Sequence, residues 1–163
     1  MVVSSIVDEK STSLKSAGFT GKSENKVDSK GRINIPAAFR KILAPDERDE
    51  VVVLYVPTGH LLLFNMDYWN TTIQQTIIDR SHIIGKENMW RTIHRLSEYS
   101  NMSTVDSQGR ITIPGWLLEK AGIEKDVVVF GAFDRVSVWA PEAYGTWVGE
   151  VDIDSTIADI GLY

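Results

Sequence analysis

A chain of 163 residues with 43% apolar and 24% charged residues has the size and make-up of one globular unit or two small packed ones. It has no cysteine, which excludes disulfides and thiolate metal sites and suits a reducing cytoplasm, and no apolar run near the ~20 residues of a membrane span. The net charge of −5 argues against a polyanionic ligand only until its distribution is read: Glu142, Glu150, Asp152, Asp154 and Asp159 follow the last cation, Arg135, whereas Lys22, Lys26, Lys30, Arg32, Arg40 and Lys41 face only Glu24 and Asp28.

In chain order, residues 1–17 are rich in serine and scattered charge, and predict a mobile arm. Phe19 to Val27 predicts an extended lead-in. Next comes the decapeptide Val27-Asp28-Ser29-Lys30-Gly31-Arg32-Ile33-Asn34-Ile35-Pro36. It predicts an acidic turn at Asp28, with Gly31 where φ > 0 is needed. A short strand follows, with Ile33 and Ile35 on one face and Arg32 and Asn34 on the other. Pro36 then opens a two-turn helix to Leu43. Val51–Val56 and Leu61–Phe64 predict a hairpin around Pro57-Thr58-Gly59. Helical periodicity runs from Asp67 to about Ser81, breaks at Gly85 and resumes from Lys86 to Tyr99.

The programme then restarts. Val105-Asp106-Ser107-Gln108-Gly109-Arg110-Ile111-Thr112-Ile113-Pro114 repeats the first decapeptide at eight of ten positions, 78 residues on. A helix over Trp116–Ala121 with Gly122 at its C-cap, strands at Val127–Phe130 and Val136–Trp139, and a helix from Pro141 through Trp147 complete the second copy. Two copies are too few for a stacked solenoid, so the duplication predicts a pseudo-twofold object with a shared core and a closed or nearly closed sheet.

Paired Asp-x-x-Gly-Arg is the strongest chemical signal. Arg32 and Arg110 occupy equivalent places, and arginine's two-pronged donor suits guanine O6 and N7 in the major groove. Lys30 and Gln108 flank them as further DNA-binding candidates. Asp28 and Asp106 brace the arginines or cap the turns, and Gly31 and Gly109 shape them. A structural ion pair in a hairpin turn is the plain alternative, and the duplication favours the functional one. His60, His82 and His94 lack ligand spacing, so no metal site is expected. Ser29 and Ser107 recur without a recurring histidine and read as turn residues, so no catalytic residues and no cofactor are expected. The five tryptophans fall at predicted core or subunit-packing positions.

With these residues on the page, the chain resembles the MraZ family of bacterial transcriptional regulators, within the AbrB/SpoVT-like swapped-hairpin superfamily. The resemblance rests on Asp28-Ser29-Lys30-Gly31-Arg32 with Pro36-Ala37-Ala38-Phe39-Arg40, and on Asp106-x-x-x-Arg110 with Pro114, and runs from Phe19-x-Gly21 to about Asp154. It implies an α+β fold: a duplicated AbrB-like β-barrel of pseudo-twofold swapped-hairpin type with flanking helices. The expected division is a first repeat at 18–81, a connecting helix at 82–100, a second repeat at 101–148 and an acidic tail at 149–163. It further implies ring-like homo-oligomers larger than a dimer. These would bind double-stranded DNA at short direct repeats upstream of the division and cell-wall gene cluster, as a cytoplasmic, nucleoid-associated repressor. An antitoxin-type or other non-catalytic partner-binding module is the alternative. Gln108 in place of Lys30, and Gly115-Trp116 in place of Ala37-Ala38, depart from a strict repeat.

Overall fold

The computed structural model describes residues 18–46 and 48–161, so the arm expected over residues 1–17 lies outside the described residues. Among the described residues eight strands form: β1 (Phe19–Lys26), β2 (Arg32–Asn34), β3 (Glu50–Val56), β4 (His60–Asn65), β5 (Ser100–Thr104), β6 (Arg110–Thr112), β7 (Asp126–Phe133) and β8 (Arg135–Trp139). Between them lie α1 (Ala37–Leu43) and α2, which starts at Met66–Tyr68, widens to a π turn over Trp69–Ile73 and continues as Gln74–Asp79. Then come α3 (Ser81–Ile84), α4 (Lys86–Glu98), α5 (Gly115–Lys120), α6 (Pro141–Gly149) and α7 (Ile153–Asp159). No helix among the described residues is long and apolar enough to cross a membrane.

The element order follows the sequence patterning closely. Gly85, at φ 82, separates α3 from α4. At the end of α5, Gly122 N–H donates to Glu119 and Ile123 N–H to Leu118, the paired bonds of a glycine-terminated helix. The C-terminal acidic stretch is not all loop. Asp152 caps α7 by accepting from the Ser155 N–H at 3.1 Å.

All pairing is antiparallel. Six strands lie in the order β1-β7-β8-β4-β3-β5, and β2 pairs with β6 in a separate ribbon. Exchanging the two halves of the chain leaves both orders unchanged. Each lead-in strand crosses over: β1 pairs with β7 of the second half, and β5 with β3 of the first.

The expectation of a closed or nearly closed sheet is not met. The described strands form an open sheet with β1 and β5 at its edges. The prolines explain this. Pro36 and Pro114 end β2 and β6 after three residues each, too short to ladder with both edges. The ribbon is instead tied to the sheet at its turns, where Asp28 N–H donates to Arg32 C=O at 3.0 Å and Asp106 N–H to Arg110 C=O at 2.8 Å.

Both faces of the six-stranded sheet are covered, which is why β3 and β4 read as nearly unbroken apolar runs. One face (Val51, Val53, Leu61, Leu63, Val127, Val129, Val136, Val138) packs against the ribbon's Ile33, Ile35, Ile111 and Ile113 and against Phe39, Leu43, Leu117 and Leu118 of α1 and α5. The other face carries Val52, Leu54, Leu62 and Phe64 under Tyr68, Trp69, Ile73 and Leu96. Towards the second half, Phe130 and Trp139 meet Tyr144 and Trp147 of α6.

Of the five tryptophans, Trp139 is buried, whereas Trp90, Trp116 and Trp147 are exposed. His60, which lacks ligand spacing to the other histidines, is buried, stacked on Trp139 at 3.9 Å, and its Nδ1 has no partner among the described residues. Trp139 of β8 covers the ring and Trp147 of α6 lies at 6.4 Å, an aromatic packing that offsets the missing hydrogen bond.

Candidate nucleic-acid interface

The two decapeptides meet on the ribbon. Arg32 lies opposite Thr112, Ile33 opposite Ile111 and Asn34 opposite Arg110. Opposed residues share a face, so Ile33 and Ile111 point into the core, fully buried, while Arg32, Asn34, Arg110 and Thr112 share the outer face. The two arginines are diagonal neighbours across the ribbon.

Each hairpin turn is built by its aspartate. Asp28 Oδ1 accepts from the backbone N–H of Lys30 and of Arg32, both at 2.9 Å. Its Oδ2 accepts from Arg32 Nε at 2.6 Å. The second turn repeats the set: Asp106 Oδ1 accepts from Gln108 N–H at 3.0 Å and Arg110 N–H at 2.9 Å, and Oδ2 from Arg110 Nε at 3.0 Å. Bracing and capping are therefore one function. These donors hold both carboxyls below the usual range, Asp28 down to about 2, led by the Arg32 N–H, and Asp106 in the same direction, led by the Arg110 N–H. Both are ionised at neutral pH.

Gly31 and Gly109 take φ of 76 and 79 and close their turns to Asp28 and Asp106 C=O. The turns are then cross-braced: Ile35 N–H donates to Gly109 C=O, and Ile113 N–H to Gly31 C=O, each at 2.9 Å. The side chains of Lys30 and Gln108 project from the turn tips, exposed and without a polar partner among the described residues.

The mode of arginine pairing carries information. Arg32 and Arg110 each give only Nε to their aspartate, so both terminal nitrogens of each guanidinium are uncommitted among the described residues, and each side chain is 26% exposed. Arg135 is the internal contrast. It grips Asp134 with two nitrogens, Nε at 2.6 Å and Nη2 at 2.8 Å, and lies over the Phe64 ring. That is a structural pair, with its fork spent. The ribbon arginines are oriented by one prong, which leaves the rest of each fork without a hydrogen bond among the described residues.

One residue near this surface entered the sequence reading as part of the basic field and of the Pro36–Arg40 motif, with no role at the second turn. Arg40, in the last turn of α1, lays its guanidinium on Gly109, so closely that a Cβ there would overlap it. Its repeat counterpart, Leu118, packs beside Gly31. Aligning the two copies at their offset of 78 residues exposes this Arg-for-Leu difference.

A family model described as "MraZ protein, putative antitoxin-like" matches residues 19–90 and 100–159. The chain belongs to the MraZ family. Two proteins named "Transcriptional regulator MraZ" are similar to it at 34% identity. The one from Chlorobium phaeobacteroides aligns over 137 residues, 82% of this chain and 90% of the relative. The one from Prosthecochloris aestuarii aligns over 139 residues, 77% and 86%. A third of that name, from a Ruegeria species, is 28% identical over 134 residues, 77% and 79%. Each MraZ-matching segment contains one complete Asp-x-x-Gly-Arg hairpin, and the gap between them falls at the end of α4 and Tyr99.

Proposed function

We propose that this chain is a sequence-specific DNA-binding transcriptional repressor. It acts as a ring-like homo-oligomer larger than a dimer on short direct repeats upstream of the division and cell-wall gene cluster, and works in the cytoplasm at the nucleoid. The observation that carries the reading is the pair of half-spent arginine forks, Arg32 and Arg110, oriented by Asp28 and Asp106 on one polar face of a two-stranded ribbon. A two-stranded ribbon fits the major groove, and the free guanidinium nitrogens suit guanine O6 and N7. Lys30 and Gln108, at the turn tips, supply contacts to the backbone or base edges. The relatives' shared name, transcriptional regulator, supports the same conclusion.

The exchange symmetry of the strand order supports two AbrB-like repeats, residues 18–81 and 101–148, as a duplicated swapped-hairpin unit. Self-association is supported by two sheet edges with no partner strand among the described residues and by exposed apolar side chains, Phe133 at 82% and Met102 at 62% among them. One ribbon reaches one short site, so regulatory affinity comes from several linked subunits on repeated sites.

Fluorescence-anisotropy titration against the DNA upstream of its own gene, at several salt concentrations, tests the proposal. Affinity falls steeply with salt despite the acidic pI of 5.2, with a log–log slope of about −0.9 per phosphate neutralised. A salt-independent affinity overturns it. Light scattering that finds a stable monomer at micromolar concentration overturns the assembly.

A further inference from the structure

The two hairpin turns are alike in backbone and unlike in charge. The first carries Asp28 against Lys30 and Arg32. The second carries Asp106 against Arg110 alone, because Gln108 stands where the first turn has lysine. On their own turns, one loop has a spare positive charge and the other has none.

Arg40 restores the balance from outside. It belongs to the first half by sequence, but its guanidinium rests on Gly109 of the second turn. Among the described residues it has no carboxylate within ion-pair distance and no side-chain hydrogen bond. It borders a cleft of about 390 Å³ whose other wall is Asp106, Ser107 and Gln108. Leu118, which fills the equivalent place beside Gly31, shows what packing alone asks for there: an apolar side chain, 8% exposed. Arginine at that place brings an unneutralised, half-buried charge whose cost an anion offsets. With Arg40 included, each turn presents one carboxylate and two cations.

We infer that Arg40 belongs functionally to the second turn, where it contacts a DNA phosphate in the role that Lys30 has at the first turn and that Gln108 leaves unfilled. This rests on the DNA-binding reading proposed above. The contact is electrostatic and blind to sequence: it sets affinity and register, whereas Arg32 and Arg110 set discrimination.

The test is anisotropy with cognate and scrambled duplexes over a salt series, using the parent, Arg40→Leu, and Arg40→Leu combined with Gln108→Lys. Arg40→Leu copies the packing of Leu118 and removes the charge. It lowers the salt slope by about 0.9 per engaged subunit and weakens both duplexes by the same factor. The added Gln108→Lys brings the slope back. Melting and light scattering match the parent. If Arg40→Leu melts far below the parent, Arg40→Met, closer in stem shape, takes its place, and collapse of both assigns Arg40 to packing and overturns the inference. So does a folded Arg40→Leu with the parent's slope, or one that changes only the cognate-to-scrambled ratio. A parent that binds neither duplex overturns the DNA reading itself, which keeps the two failures distinct.

Discussion

The backbone N–H of Ile35 donates to the carbonyl of Gly109 at 2.9 Å, and this bond, with its symmetry mate from Ile113 to Gly31, makes each turn depend on the other half of the chain. Neither turn rests on local bonds alone. Each is held at one end by its own aspartate and at the other by the opposite repeat.

The bracing is tight at Gly31. Its φ is +76, and a Cβ there would lie 2.7 Å from the Ile113 carbonyl oxygen. Gly31→Ala destabilises the fold by about 1–3 kcal/mol through the strained φ alone, with the backbone clash in addition. Gly59→Ala is the control, since its φ of +91 is also left-handed but nothing lies within 4 Å. Chemical denaturation of both variants checks this: Gly31→Ala loses more.

Acid should loosen the turns. Asp28 in the fold titrates at about 2, below its ordinary 3.8, because the Arg32 N–H and guanidinium and the Lys30 N–H bond the carboxylate. The stability this contributes is fully present above pH 3.8 and is lost as pH falls towards 2. Asp28→Asn keeps an acceptor but cannot titrate. Thermal melts between pH 2 and 6 should fall less steeply for Asp28→Asn than for the parent. Parallel curves would contradict the assignment. At neutral pH Asp28→Ala, which loses the turn acceptor, lowers both melting temperature and DNA affinity.

His60 gives a second, separable pH dependence. Burial against Trp139 pushes its pKa down to about 4 from the usual 6.5, so it is neutral in the fold. The unfolded chain binds a proton there below pH 6.5 and the folded protein does not until about 4. The stability is therefore present above 6.5 and erodes as pH falls through that window. His60→Phe keeps the stack, removes the unpartnered Nδ1, and flattens the melting curve between pH 7.5 and 5. An equal loss in both proteins would place the titrating group elsewhere.

Most of the local structure was legible in the sequence because it is written in local chemistry. Pro36 and Pro114, Gly85 and Gly122 punctuate the helices, and the Ile33/Ile35 alternation sorts the ribbon's faces. The aspartate turns were legible too, since the spacing from Asp28 to Lys30 and Arg32 is what an Asp side chain can cap. Strand partners were not. That β1 pairs with β7, about a hundred residues away, depends on a nonlocal match of edges that no short window records. The burial of His60 depends on α6 arriving from the other repeat, and Arg40's place depends on the same interleaving. Long-range exchange between halves is what hid each of them.

In the proposed function Arg32 reads a base edge while Asp28 holds it in place. Anisotropy of Arg32→Ala against cognate and scrambled duplexes, with melting and light scattering on the same sample, tests it most directly. The account predicts parent-like folding and assembly and a loss of about 1–3 kcal/mol of discrimination per engaged subunit. Arg32→Lys recovers little of it, because a point charge keeps phosphate attraction and loses the fork. An Arg32→Ala protein that folds, assembles and still prefers the cognate duplex as strongly as the parent would make the Asp28–Arg32 pair a structural brace and contradict the account.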